Sequence, residues 1–384
     1  MNDLSASLRD AFLLEPGIAY LNHGSYGATP RVVLAAAENW RQRLEAQPVR
    51  FMHGELPQAL RQAAARLAAF LGARGEDLVF VENATAGVNA ILRSLDFRPG
   101  DELLTTAHVY GAVRKTMQYV ASCTGAVLVE AKLPFPVANE DEIVAAVTQR
   151  LSPKTRMLVL DHITSPTALI LPVARIIAAA KARGIAVLID GAHAPGQLPL
   201  DIPSLGADFY VGNCHKWLFA PKGCAFLWAA PSAQASIHPL VISHGYGGGF
   251  RAEFDWVGTR DPANWLAVET ALDFIDTIGA DSLRERNHAL MREAATMLRE
   301  RWGTPAGGPF AMLGAMATIG LPARGPFASM APTLDSTAKI HAHLWEKHRI
   351  EVPVIAFADR LWVRISAQIY NGLADYRRLA DALG

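Results

Sequence analysis

The stretches Ile185-Ala-Val-Leu-Ile-Asp190-Gly-Ala-His193 and Asp208-Phe-Tyr-Val-Gly-Asn-Cys-His-Lys216-Trp217 decide the fold. Each is a short apolar run that breaks off into polar residues, the pattern of a strand buried on both faces of a parallel sheet. Working outward, strands are predicted at Leu78–Val81, Glu102–Thr105, Ala126–Glu130, Met157–Asp161, Ile185–Asp190, Phe209–Val211 and Cys224–Trp228. Helical patterns lie between them, such as Pro57–Leu71, stopped by Gly72, and Val173–Arg183, stopped by Gly184. Alternation of this kind over about residues 57 to 230 predicts an α/β fold: a mostly parallel sheet flanked by helices. Beyond Trp265 the pattern changes. A long helical stretch to about Trp302 leads to strands near Ala315–Gly320, Glu351–Ala356 and Trp362–Ile365, interleaved with helices near Ser336–His348 and Ala374–Leu383. This half reads as a smaller α+β domain.

Composition narrows the function. A chain of 384 residues, 51% hydrophobic, can bury a large core. Acidic and basic residues balance at 36 each, with no basic run, so neither nucleic acid nor an anionic membrane is an expected partner. Small molecules are expected instead. The start, Met1-Asn2-Asp3-Leu4-Ser5, is acidic where a signal peptide would be basic, and charges interrupt every apolar stretch, which predicts a cytoplasmic protein. Cys123, Cys214 and Cys224 have no CxxC spacing, so reduced thiols are expected and neither a disulfide framework nor a metal site.

Polar residues gather where the predicted strands end, and in an open parallel sheet ligands collect there. An acid at one strand end, Asp190, and a lysine after the next, Lys216, are what pyridoxal phosphate chemistry needs. The amine forms a Schiff base with the cofactor aldehyde, and the carboxylate keeps the pyridine nitrogen protonated so that the ring draws electrons from the substrate. Alone, Asp190 reads equally as a turn residue and Lys216 as an exposed lysine; together they point to a site. After the strand at Leu78–Val81, Glu82-Asn-Ala-Thr85-Ala-Gly opens a helix whose free amides, with Thr85, would cradle a phosphate, although Asn83 by itself reads first as a helix cap. Asn213 and His215 suit phosphate contacts. His193 could reach the ring hydroxyl, or be a helix-face histidine. His108 and Tyr110 lie beyond another strand end; Tyr110 has the larger face for stacking on the pyridine, and packing in the core is its alternative.

The segments Leu21-Asn22-His23-Gly24-Ser25-Tyr26-Gly27, Asp190-Gly-Ala-His193-Ala-Pro-Gly196, Asn213-Cys-His215-Lys216-Trp217 and Asp255-Trp-Val-Gly258-Thr259-Arg260-Asp-Pro resemble the class V aminotransferase family of fold-type I pyridoxal phosphate enzymes, in its isopenicillin N epimerase-like branch. The resemblance is close over about residues 20 to 270 and weaker at Arg364-Ile-Ser-Ala-Gln-Ile-Tyr-Asn371. It implies Lys216 as Schiff-base lysine, Asp190 as pyridinium partner, and Ala84, Thr85, Asn213 and His215 as phosphate contacts. It implies a homodimer in which Gly258 and Thr259 reach the neighbouring subunit's phosphate. Arg364 would hold the carboxylate of an amino-acid substrate, a role suited to a planar two-pronged donor, with a structural ion pair as the alternative. Asn22 and His23 would line the substrate entrance. The implied division is an N-terminal segment, 1–25, over the active site, a large cofactor-binding domain, 26–264, and a small domain, 265–384. One departure stands out: related cysteine desulfurases carry a nucleophilic cysteine before the carboxylate-binding arginine, and none lies between Arg324 and Arg364. A persulfide mechanism is therefore not expected.

Three outcomes share these residues once Lys216 removes the α-proton. Reprotonation from the opposite face gives epimerisation, which the branch favours and which needs a donor such as His108, Tyr110 or His193. Expulsion of a β-sulfur gives C–S lysis, and protonation on the cofactor leads to transamination. Two other classes compete. A nicotinamide dehydrogenase would need a GxGxxG after an early strand, and Gly245-Tyr-Gly-Gly-Gly249 sits in the wrong context. A cofactor-binding regulatory protein would have no use for Arg364.

Overall fold

The computed structural model describes residues 8–384, so the reading of Met1–Ser5 and the start of the 1–25 segment lie outside the described residues. Its strands are β1 (Ala19–Tyr20), β2 (Leu78–Val81), β3 (Glu102–Thr106), β4 (Val127–Ala131), β5 (Thr155–Asp161), β6 (Ala186–Asp190), β7 (Phe209–Asn213), β8 (Ala225–Ala229), β9 (Met316–Gly320), β10 (Ile350–Glu351), β11 (Val354–Phe357) and β12 (Arg360–Ser366). A seven-stranded sheet runs in the order β2-β8-β7-β6-β5-β3-β4, and only β8 opposes its neighbours. The central strands β5 to β8 are buried almost throughout because helices cover both faces, which is why they read as continuous apolar runs.

All the parallel strands point one way, so their carboxyl ends share one edge. Asp161 closes β5, Asp190 closes β6 and the Lys216 turn follows β7; Asp161 and Asp190 are register partners, as are Asp190 and Val211. The chain passes this edge twice more. Residues 22–27 cross it on the way from β1, which pairs with β10 and so ties the N-terminal segment to the C-terminal half. The second sheet, antiparallel in the order β11-β12-β9, brings Arg364 to the same edge.

The predicted helix from Trp265 to Trp302 is three helices, Ala263–Leu266, Val268–Ile278 and Ala280–Trp302. Gly279 takes φ 86° and ψ 120°, which ends one helix and turns the next. The predicted strand Glu351–Ala356 is likewise two, β10 and β11, separated at Pro353, which has no N–H for a ladder. No helix among the described residues is long and apolar enough to cross a membrane.

Candidate active site

A cavity of about 480 Å³ opens at the carboxyl edge of the sheet. Its wall includes Lys216, Asp190, His193, Tyr110, Thr85 and Asn213, so six residues singled out from sequence converge on one space. That size suits a small-molecule site.

Lys216 is buried, in a turn fixed by its neighbours. The Cys214 and His215 amides both donate to the Cys224 carbonyl, at 3.0 and 3.1 Å, and the Ala220 amide closes the turn onto Cys214 O at 3.1 Å. Gly27 packs directly on this turn. It has φ 69°, and a Cβ there would stand 2.2 Å from the His215 carbonyl oxygen, so only glycine lets the N-terminal segment lie against the lysine. Burial, with Arg364 nearby, pushes the Lys216 amine down to about 7, Asp190 opposing the shift.

The proton positions around Lys216 follow from its contacts. Trp217 Nε1–H donates to His193 Nδ1 at 3.4 Å, so a neutral His193 carries its proton on Nε2, 3.2 Å from Lys216 Nζ. Burial and the nearby Lys216 hold His193 well below its ordinary value, in keeping with the neutral ring. Gln197 fixes the segment by donating to His193 O at 2.8 Å.

Asp190 is buried and its Oδ1 accepts the Ala192 amide at 2.9 Å. Burial raises its carboxyl group, opposed by that amide and by Lys216. A cationic nitrogen in the cavity would reverse the shift.

At the start of the helix Ala84–Ser94, both readings of Asn83 hold at once. Its side chain caps the helix, accepting the Ala86 amide at 2.8 Å, and it also lines the cavity. The Ala84 amide is already spent on Asn213 Oδ1 at 2.8 Å, which turns the Asn213 Nδ2 donors outward. His215 Nδ1 donates to Cys224 O at 3.1 Å, leaving Nε2 for the cavity; burial and Lys216 push this ring down to about 4, and a bound anion would raise it. Thr85, Asn213 and His215 therefore stand together at one corner of the cavity, an arrangement suited to an anion.

Arg364 is 5% exposed, yet its guanidinium contacts only neutral oxygens. Nη1 donates to Ser165 O at 2.6 Å and Ser165 Oγ at 3.2 Å; Nη2 donates to Ser25 Oγ at 3.0 Å and Asn22 Oδ1 at 3.4 Å. Nε is buried without a partner, and no carboxylate among the described residues pairs with Arg364, so the structural ion pair is absent. Burial lowers its pKa to about 10. A buried cation in such a setting is suited to an anion from solution. Ser25 and Ser165 line the cavity.

Three expectations change. His23 does not line the entrance: its Nδ1 meets Tyr370 OH at 2.6 Å and its Nε2 meets Lys216 O at 3.0 Å, inside the core. Asn22 is also set back, donating to Glu351 Oε1 at 2.8 Å, and the entrance residues are Ser25 and Tyr26. His108 turns from the cavity to Thr167 Oγ1 at 2.8 Å and packs edge-on against Phe135 and Phe357, leaving Tyr110, 43% exposed, as the flat group on the wall. Gly258 and Thr259 lie outside this cavity, in the loop after the helix Phe250–Asp255. Sequence reasoning missed Ser25, Tyr26, Ser165, Lys222 and Asp161 on the wall. Asp161 alone had left a signal, as the polar end of an apolar strand.

Donors for a phosphate, an acid for a ring nitrogen, a flat aromatic group and a low-pKa lysine together fit pyridoxal phosphate. An isopenicillin N epimerase of Amycolatopsis lactamdurans is 36% identical, over 98% of this chain and 97% of its own. A putative L-cysteine desulfhydrase of Oryza sativa subsp. japonica is 35% identical, over 96% of this chain and 83% of its own. Among solved structures, a cysteine desulfurase from Thermococcus onnurineus NA1 superposes with a TM-score of 0.81 at 19% identity, covering 98% of this chain and 96% of that one. The family model described as Aminotransferase class-V matches residues 19–375, and the chain belongs to that family of pyridoxal phosphate enzymes.

Proposed function

We propose that this chain is a C–S lyase acting on a small cysteine-derived amino acid, with Lys216 moving the protons and Arg364 holding the carboxylate. The observation that carries this reading is a pair of buried cations: on the cavity wall an amine whose pKa is pushed to about 7, and behind the wall residues Ser25 and Ser165 a guanidinium with no acidic partner among the described residues. When bound, pyridoxal phosphate supplies an aldehyde for covalent attachment and a ring that withdraws electrons from the substrate α-carbon. The chain's residues do the rest. Thr85, Asn213 and His215 would hold the phosphate, Asp190 would keep the ring nitrogen charged, and Tyr110 would offer its flat face to the ring. Arg364 takes the substrate carboxylate in two prongs, with Ser25 and Ser165 steering it. Lys216 Nζ accepts the α-proton and becomes ammonium; the β-carbon–sulfur bond then breaks, and the same ammonium returns its proton to the departing sulfur. His193 Nε2–H orients the amine while it is neutral, and Ser25 and Tyr26 stand at the entrance.

Lysis needs one proton-moving group, and Lys216 suffices. Epimerisation needs a second on the opposite face, and of three histidine and tyrosine candidates His108 is turned away and His193 sits on Lys216. Tyr110 keeps the epimerase reading alive, supported by the likeness to isopenicillin N epimerases. Transamination is the third reading. Incubation with S-substituted cysteines in deuterated water separates them. The lyase reading expects stoichiometric keto acid, ammonia and thiol. Inversion of the α-carbon without keto acid would promote the epimerase, and keto acid without thiol the aminotransferase.

We place residues 26–264 in a large cofactor-binding domain and 265–384 in a small one, working as a cytoplasmic homodimer. The exposed apolar side chains Leu240, Val241 and Ile242 support a partner subunit beside the loop that carries Gly258 and Thr259. Sedimentation as a monomer would remove that part of the reading.

A further inference from the structure

We propose that Asp161 is a second carboxyl group of the cofactor site, sharing one proton with Asp190, so that the two acids together present a single negative charge to the ring nitrogen. The two residues end adjacent parallel strands and are register partners, which puts both side chains on one face. Both are at least 97% buried, and both line the cavity. Asp190 has the Ala192 amide on Oδ1, whereas Asp161 Oδ2 is buried with no partner at all. An ionised carboxylate left in that state beside a second one is strongly disfavoured, so the pair binds a proton between them.

The surroundings say which acid keeps it. Asp161 faces Asp190 from β6, the Tyr110 amide, and Arg114 from the helix Gly111–Thr124. Arg114 is committed elsewhere, with Nε on Glu130 at 2.6 Å and Nη2 on Ala107 O at 2.9 Å. His162, next in the strand, turns to Tyr210 OH at 2.9 Å. Asp190 has Lys216 as a cation near it and the Ala192 amide on it. Burial and the Asp190 charge drive the Asp161 carboxyl group well up, so Asp161 is the neutral member. The consequence for the ring rests on the reading of Asp190 given above; the shared proton does not. Asp161 acts as a positioning residue, holding the charge of the pair at one until alkaline pH removes its proton.

The test is infrared spectroscopy of the full-length, cofactor-loaded protein labelled with carbon-13 aspartate. At neutral pH the wild type should show the carbonyl stretch of a protonated aspartic acid, lost reversibly at alkaline pH and missing in Asp161→Asn. Absence of that band in the wild type, or its persistence in Asp161→Asn, overturns the proposal. Should the variant not fold, Asp161→Glu, whose carboxyl group carries no label, replaces it and should lack the same band. Borohydride labelling of the same sample reports cofactor attachment separately. A missing band with Lys216 labelled therefore defeats the shared proton and leaves the cofactor reading standing.

Discussion

The two walls of the cavity that the proposed function gives to cofactor and to substrate are built in different ways. The first hangs on the ends of β5, β6 and β7, where register and burial fix Asp161, Asp190 and the Lys216 turn together. The second is assembled from separate segments: Ser25 and Tyr26 from the N-terminal crossing and Ser165 from the loop after β5, with Arg364 of β12 set behind the two serines. Side-chain hydrogen bonds, one of them as long as 3.4 Å, join these parts. Chemistry common to a family belongs on the rigid wall, and the choice of substrate belongs on the assembled one. Epimerase and desulfhydrase relatives at similar identity fit that division.

The division predicts different failures on the two walls. Lys216→Ala should show the largest effect, a loss of turnover of about 10³-fold or more, because the same amine takes and returns the proton. Steady-state assay checks it, and an unchanged circular dichroism spectrum would separate it from unfolding. Arg364→Lys should raise KM roughly 10²-fold with little change in cofactor affinity, since an ammonium cannot make the two-pronged contact. Wild-type enzyme that bound an amino acid and its decarboxylated amine equally well would end that role. Gly27→Ala tests whether the walls are coupled. Its Cβ would sit 2.2 Å from His215 O at φ 69°, so a loss of about 1–3 kcal/mol in denaturant unfolding is expected, with kcat falling as the lysine turn shifts.

The strands and helices of the large sheet were readable in outline because apolar runs and glycine stops are local signals, and Asp190, Lys216 and Thr85 followed from their places at strand ends. His23 and His108 misled. Both belong to the quoted motifs or strand ends, yet their rings hydrogen-bond Tyr370 and Thr167, residues hundreds or tens of positions away. Ser25 and Ser165 were invisible for the same reason: their meaning comes from Arg364, which only the tertiary fold brings to them. The break at Gly279 was legible in principle, but a continuous amphipathic pattern overrode one glycine.

Two smaller effects sharpen the account. Covalent uptake of the cofactor by cofactor-free protein needs the neutral amine, which is depleted below about pH 7. The rate should therefore rise about tenfold per pH unit up to that point and level off above it, as stopped-flow absorbance would record. A lysine with its ordinary pKa would instead keep rising well beyond it. The smallest effect is expected of His108→Gln: it touches neither wall, and kcat/KM should stay within about threefold of wild type.

The central claim is that Lys216 carries the cofactor, and a competitor lines the same cavity in Lys222, whose amine is also lowered by burial. Borohydride reduction of cofactor-saturated protein followed by peptide mapping tells them apart. The account predicts one covalent label per chain, on the peptide containing Lys216. A label on Lys222 or any other lysine, or none at all, would contradict it.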